Sequence, residues 1–235
     1  MRYMRQIKPF KHQLIEDTFK LESTDTPSGR YYVLPDGSKM PSVTTVLGWQ
    51  KKDSLKQWRL RVGEEEANRI SKYAANRGTK VHAVCENYLN NKPDYLDNAD
   101  ILTQDMFSSI QPILNERVDN IYGIESALYS NHLGLAGRCD CIADFDARPS
   151  IIDFKTSTRL KKKEWIEDYF MQTACYAVMF EERTNIPIPN LVIIIAVENE
   201  SPQIFIEKRD RWIGEAIDVI AGYNAAQWLA GEDID

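Results

Sequence analysis

The 235-residue sequence contains no run of about 18 consecutive apolar residues, and this absence excludes a membrane-spanning helix. The N-terminal residues lack the apolar segment that directs secretion, so we expect a cytoplasmic protein. A Gly-x-x-x-x-Gly-Lys phosphate-binding loop is absent as well, and we therefore expect no ATP-driven motor. Without a Gly-x-Ser-x-Gly motif and with three histidines, the chain is a poor match to a serine hydrolase.

Cysteine is also scarce, with four residues in the chain. Cys139 and Cys141 should share one face of a strand, and Cys175 reads as a buried helix position. Reduced core thiols in a reducing compartment are the expected state. An iron–sulfur site is the alternative, but the sequence has no tight C-terminal cysteine cluster, so we expect no such cofactor.

The net charge of −6 conceals a split between the two parts of the chain. Residues 1–80 contain 16 Lys and Arg against 9 Asp and Glu, whereas residues 81–235 contain 13 against 26. A basic surface on the N-terminal part could therefore meet a polyanion. An ordinary solvated charge pattern is the alternative.

Hydrophobic periodicity predicts a helical front half, residues 1–120, with one small hairpin, followed by a mixed-sheet core, residues 121–235. The hairpin should join residues 30–34 and 39–40, and Pro41 and Ser42 should open a short helix that ends at Gly48. Strands are predicted at 123–130, 137–146, 150–155, 191–197 and 203–206, and helices within 54–89 and at about 102–120, 165–182 and 211–229. The expected fold class is α/β, a mixed sheet flanked by helices in a single domain.

Two carboxylates and an ammonium group lie on adjacent predicted strands. Asp153 and Lys155 should share one strand face, about 6.5 Å apart at their Cα atoms. If Asp140 on the preceding strand lies beside Asp153, the two like charges repel, and a divalent cation would resolve that repulsion. Oxygen ligands of this kind favour Mg²⁺ or Mn²⁺. Taken alone, Asp-x-Lys also fits a surface ion pair.

Two helices add polar pairs at a spacing of four, which places each pair on one helix face. Gln172 and Tyr176 could orient the lysine, a water or a phosphate, although such a pair is also common at a helix rim. His82 and Glu86 form the second pair, and a neutral imidazole can bind a metal. A structural histidine is the alternative there.

Taken together, these segments resemble the PD-(D/E)XK nuclease superfamily in its RecB-like branch. Four motifs carry the resemblance in chain order: Gly78/His82/Glu86, Gly137/Asp140, Asp153/Lys155 and Gln172/Tyr176. The proline that often precedes the first aspartate of the family is Cys139 here. Residues 30–32 and 41–47 further resemble exonucleases of mitochondria and phages; a phage-encoded protein would act in the host cytoplasm.

The resemblance implies a restriction-endonuclease-like core and metal-dependent hydrolysis of DNA phosphodiester bonds in replication, recombination or repair. It assigns the metal to His82, Asp140, Asp153 and the Phe154 carbonyl, with Lys155 next to the reacting phosphate. Glu86 and Glu125 are the less favoured metal candidates, either as outer ligands or as residues that hold metal-bound water, and Glu125 also reads as an ordinary strand-edge acid.

The resemblance, together with the aromatic and basic residues that interleave between Trp49 and Arg61, favours single-stranded DNA, cut from an end, as the substrate. Core or helix packing is the alternative for Trp49 and Trp58. The residues expected to contact DNA lie near helix starts or just after the Asp-x-Lys strand: Ser42, Thr44, Thr45, Arg77, Lys80, Arg159 and Lys161. Helix capping and solvated loops are the alternatives for them. Two competing functions stay open, a double-strand endonuclease and a DNA-binding module that does not cut.

Overall fold

The computed structural model describes residues 8–15 and 21–231. A small antiparallel sheet comes first, in the order β1 (Glu22–Thr26), β2 (Gly29–Val33) and β3 (Lys39–Pro41). The β2–β3 hairpin matches the prediction, and its turn is held by Asp36, whose carboxylate accepts the Ser38 N–H at 2.9 Å. The additional strand β1 was not predicted, because its sequence is fully exposed and has no apolar residue.

Helices fill the rest of the front half, as predicted. Ser42 caps the first of them by accepting the Thr45 N–H at 3.0 Å, and Asp100 caps the fourth by accepting the Thr103 N–H at 2.8 Å. The four helices are α1 (Val43–Gly48), α2 (Lys52–Val62), α3 (Glu64–Leu89) and α4 (Ile101–Arg117).

The second half is a five-stranded sheet in the order β4-β5-β6-β7-β8. Strands β6 and β7 run parallel and the other neighbours antiparallel, so the sheet is mixed. Helix α5 connects the parallel pair, as a parallel connection requires. The elements are β4 (Val118–Ser130), β5 (Leu135–Phe145), β6 (Arg148–Ser157), α5 (Glu167–Thr184), β7 (Asn190–Val197), β8 (Gln203–Lys208) and α6 (Arg209–Ala230).

Helices cover both faces of this sheet, which confirms the predicted fold class. Helices α1, α5 and α6 pack on one face around Phe170 and Tyr223, whereas α3 and α4 pack on the other around Tyr88 and Phe107. Every residue of β7 is buried between the two layers. No helix in the described part of the chain is both long and apolar enough to cross a membrane. The single-domain interpretation stays a prediction.

The small sheet packs against the edge strand β4 and its neighbour β5. Its buried residues Tyr32 and Leu34 pack on Ala127 and Ala136. The Ser42 backbone adds a parallel bridge to Ala136. This contact places the hairpin beside the edge of the large sheet, where it forms one wall of the cleft described below.

One detail of the predicted strand β5 is wrong. Cys139 is buried in the core beneath α5, whereas Cys141 is buried in the opposite core beneath α3, so the two thiols do not share a face. Opposite them, Glu125 on β4 has a left-handed backbone with φ of 49°. Strict alternation therefore fails at Asp140, and irregularities of this kind re-aim side chains next to functional sites.

Candidate active site

Strand β6 and helix α5 bring three polar side chains together. The Lys155 ammonium lies 2.5 Å from Asp153 Oδ2, and Gln172 donates to Asp153 Oδ1 at 3.2 Å. Lys155 also donates to Gln172 Oε1 at 3.5 Å. Asp153 is 1% exposed and lies in the middle of β6, so this cluster is fixed on a buried strand. The shared face predicted for Asp153 and Lys155 is therefore present.

Tyr176 supports this cluster from one helical turn further along α5. Its hydroxyl lies 3.4 Å from Gln172 Nε2, and the ring packs against the backbone of Gly137. A Cβ at position 137 would lie 2.6 Å from the Tyr176 ring, so a glycine is needed there. Because Tyr176 is 3% exposed, it cannot stack on a nucleotide base, and orienting Gln172 is the contact available to it.

Asp140 approaches the same point from the other face of the sheet. The β5–β6 ladder ends at the pair Cys141 and Ile152, so the next pair along this register would be Asp140 and Asp153. At that position Asp140 Oδ2 instead accepts the Phe154 N–H at 2.8 Å. The two predicted carboxylates thus meet where the ladder opens, one facing α3 and the other α5.

Three ligand atoms on the α3 side could hold a metal ion. Atoms of His82, Glu125 and Asp140 lie within 4.8 Å of one another, and His82 Nδ1 is 3.4 Å from Asp140 Oδ2. Asp153 Oδ2 is buried close by with no hydrogen bond from a described residue, although Lys155 faces it as an ion-pair partner. Carboxylate oxygens suit Mg²⁺ and Mn²⁺, and two of the three donors are carboxylates, so these residues fit a hard divalent cation.

Burial and neighbouring charges shift the pKa values of the ionisable groups in the cluster. Burial raises the pKa of Glu125 to about 7, and the neighbouring charge of Asp140 adds to that rise. Burial disfavours the imidazolium of His82, but Asp140 overrides it and raises the pKa of His82 to about 9. Burial raises the pKa of Asp153 to about 6 against the opposing charge of Lys155. Excess negative charge is therefore partly neutralised by protons, which a cation would displace.

The cluster opens into a cleft of about 620 Å³ between α3 and the small sheet. Glu86 lies in its wall, one helical turn from His82. Both of the less favoured metal candidates thus line the cleft, but Glu125 belongs to the group of three close ligand atoms and Glu86 does not. Sequence spacing could not rank them, because Glu125 reaches the site through its unusual backbone conformation.

The hydroxyls at the start of α1 serve local structure. Ser42 and Thr45 hydrogen-bond to each other at 2.8 Å, and Thr45 also accepts the Arg30 N–H at 2.9 Å. Thr44 is exposed and lies 3.0 Å from the Ser42 hydroxyl. The geometry of Ser42 and Thr45 is therefore that of a helix cap.

Both predicted cations of α3 have acidic partners. Arg77 is 7% exposed and pairs with Glu198 at 2.7 Å, while its Nε donates to Thr156 at 3.1 Å. Lys80 pairs with Asp100 at 2.6 Å on the exposed surface. Neither residue belongs to the cleft wall.

The loop after β6 presents a tryptophan that was not among the predicted site residues. Trp165 is 51% exposed, and Arg159 and Lys162 lie 5.8 and 5.5 Å from its ring centroids. Lys161 is next to them, held by paired hydrogen bonds with Gln203. The signal available in the sequence was this aromatic residue next to a basic run, directly after the Asp-x-Lys strand.

Two aspartates and a lysine thus lie together where the β5–β6 ladder ends, and a comparison of the sequence with known protein families agrees with this arrangement. The sequence profile of the PD-(D/E)XK nuclease superfamily matches residues 95–232, more than half of the chain. The protein belongs to the PD-(D/E)XK nuclease superfamily.

Two similar proteins are mitochondrial genome maintenance exonuclease 1 of Homo sapiens and of Xenopus tropicalis. Each is 26% identical; the human match covers 78% of this chain and 58% of that protein, and the frog match 77% and 57%. The chain thus spans less than two thirds of the length of these relatives. A crystal structure from Eubacterium rectale, named a candidate exonuclease, is 16% identical with a TM-score of 0.43, covering 67% of this chain and 69% of its own.

Proposed function

We propose that the protein is a metal-dependent exonuclease of the RecB-like branch that hydrolyses single-stranded DNA in replication, recombination or repair. The observation that carries the proposal is the meeting of Asp140, Asp153 and Lys155 at the open end of the β5–β6 ladder. The names of the mitochondrial relatives support the exonuclease activity. We expect no ATP requirement, and the cytoplasmic location stays a prediction.

His82, Asp140 and Asp153 would hold Mg²⁺ or Mn²⁺, together with the Phe154 carbonyl. Glu125 joins this proposed set because its carboxylate lies in the same group of close ligand atoms. The cation would supply Lewis acidity, neutralising negative charge on the phosphate and easing the ionisation of water.

Lys155 is the chain's own cation at the reacting phosphate. Asp153 and Gln172 hold its ammonium group from two sides, which fixes the group without burying it completely. Burial opposes its charge, but Asp153 and Asp140 raise the pKa of Lys155, so it stays protonated at neutral pH. A fixed ammonium group stabilises the charge that develops on a phosphoryl oxygen or orients the attacking water.

The loop after β6 supports the preference for a single strand. Bases of a single strand expose faces that stack on aromatic side chains, while flanking cations bind the phosphates. The exposed ring of Trp165, with Arg159 and Lys162 beside it, has this composition directly after the strand that carries Lys155. A duplex would not offer its base faces to such a surface.

The test is digestion of end-labelled single-stranded, double-stranded and circular DNA with Mg²⁺, Mn²⁺ or EDTA. We expect metal-dependent release of short products from linear single strands and none from circles. Cleavage of circles would favour an endonuclease, and binding without cleavage a non-catalytic module. Either result would overturn the proposal.

A lysine variant tests the mechanism separately. We expect Lys155→Ala to fold and to lose cleavage, whereas Lys72→Ala, at an exposed position of α3, should cleave like the unmodified protein. Asp153→Asn should also weaken Mn²⁺ binding in calorimetry. Full activity of folded Lys155→Ala would remove the lysine from the mechanism.

A further inference from the structure

The wall of the cleft opposite α3 carries arginines that no motif explains. Arg138 lies on β5, two residues before Asp140, and Arg30 lies on β2 of the small sheet. Two residues along a strand span about 6.6 Å, so the Cα atom of Arg138 lies about that far from the Cα atom of Asp140, a proposed metal ligand. Its side chain is exposed, and it makes no hydrogen bond or ion pair with a described residue.

Arg30, Arg138 and Tyr32 all line this wall. Tyr32 packs on Ala127, which lies opposite Arg138 in the β4–β5 register. Burial raises the pKa of Tyr32, and the charges of both arginines oppose that rise. Arg30 is braced by Asp25, with Nε 2.8 Å from Oδ1. Its backbone N–H donates to Thr45 at 2.9 Å, which ties β2 to the cap of α1. This wall is therefore held in place by contacts that leave Arg138 open to the cleft.

We propose that Arg138, with Arg30 and Tyr32 beside it, binds a phosphate of the DNA strand adjacent to the phosphate that is cut. The proposal rests on the proposed nuclease function. An arginine fork can pair two phosphate oxygens at once, and a phosphate contact fixes the register of a strand without reading its sequence. Arg138 would thus position the strand between the small sheet and α3, with the next phosphate at Asp140 and Lys155.

A simpler role for Arg138 is to balance the acidic cluster, since its charge lowers the pKa of Glu125 against the effect of burial. The two roles predict different effects of removing Arg138 on DNA affinity and on Mn²⁺ binding. A phosphate-binding arginine contributes to DNA affinity and to its salt dependence. An arginine that only balances the acids opposes cation binding, so its removal would tighten Mn²⁺ binding and leave the DNA affinity unchanged.

The experiment compares Arg138→Ala, Arg138→Lys and the control Arg148→Ala in the full chain. Arg148 is also an exposed arginine, but it lies at the far end of the β5–β6 hairpin. For Arg138→Ala we expect KM for single-stranded DNA to rise about tenfold or more with little change in kcat, because a charged hydrogen bond is lost. The slope of log Kd against log salt should fall by about one. Arg138→Lys should recover part of the affinity, and Arg148→Ala should change neither quantity.

Oligonucleotides with phosphorylated and unphosphorylated 5′ and 3′ ends identify the phosphate. If Arg138→Ala weakens the binding of all of them equally, the arginine binds an internal phosphodiester. If it weakens only the binding of oligonucleotides with one kind of phosphorylated end, the arginine binds that terminal phosphate. Unchanged KM and salt slope in a folded Arg138→Ala protein would overturn the proposal, with tighter Mn²⁺ binding identifying charge balance instead. If the unmodified protein binds DNA without cutting it, the nuclease function fails, while the Arg138 affinity loss is still measured directly.

Discussion

Metal binding should release protons from His82 and Glu125, and this release gives a direct test of the proposed ligands. The pKa of His82 is raised to about 9 and that of Glu125 to about 7, so both groups hold protons in the metal-free protein near neutral pH. A metal ligand must be deprotonated, which makes the apparent affinity depend on pH. Affinity should therefore rise as pH rises through both values.

The magnitude follows from the two titrations. At pH 7 His82 is almost fully protonated and Glu125 half protonated, so binding should release about 1.5 protons. At pH 8 the number should fall to about 1.0, and the apparent affinity should rise about 1000-fold between pH 6 and pH 8. In Glu125→Gln the main contribution is that of His82, so the rise over the same interval should be on the order of 100-fold.

The assay is calorimetry of Mn²⁺ binding in buffers of matched pH and different ionisation enthalpy, which counts the protons. His82→Asn is the complementary variant and should leave only the titration of Glu125. Binding that releases no protons and has the same affinity at pH 6 and pH 8 would refute the assignment of both residues. The cation would then have to be bound at the Asp140 and Asp153 carboxylates without His82 and Glu125.

Two further changes test the supports of the site. Gly137→Ala should cost about 1–3 kcal/mol of stability and reduce cleavage, because the new Cβ would lie 2.6 Å from the Tyr176 ring. The control Gly78→Ala, whose Cβ would meet nothing closer than 3.8 Å, should raise stability by about 0.5–1 kcal/mol; chemical denaturation measures both. Trp165→Ala should weaken single-strand binding about tenfold without changing the melting temperature, whereas Trp228→Ala, at a second exposed tryptophan, should leave binding unchanged in an anisotropy titration.

Much of the fold could be predicted because local patterns and tertiary packing agree. The uninterrupted apolar run Leu191–Val197 predicted a buried strand, and it forms β7, in which every residue is buried. Pro41 and Ser42 marked the start of α1 because a cap is a local hydrogen-bonding unit. By contrast, β1 could not be predicted, since an exposed edge strand of polar residues has no apolar face.

The site was predictable where its residues lie on one element and less so where it depends on long-range geometry. The shared face of Asp153 and Lys155 follows from the period of a strand, and that of Gln172 and Tyr176 from the period of a helix. The place of Glu125 depends on a left-handed residue that breaks the alternation of β4. No periodic pattern predicts such a residue, especially when it is not a glycine.

The break in the β-ladder is what makes a two-sided site possible in this sheet. In a regular ladder, residues on opposite faces are separated by the backbone, and helices on those faces cannot contribute to one centre. Here Asp140 accepts the Phe154 N–H through its side chain, which satisfies a buried donor that has lost its ladder partner. The same carboxylate faces His82 on α3, while Asp153 on the neighbouring strand faces Gln172 on α5. Side chains of both helix layers can therefore contribute to one centre, with Asp140 serving as both structural bridge and proposed ligand.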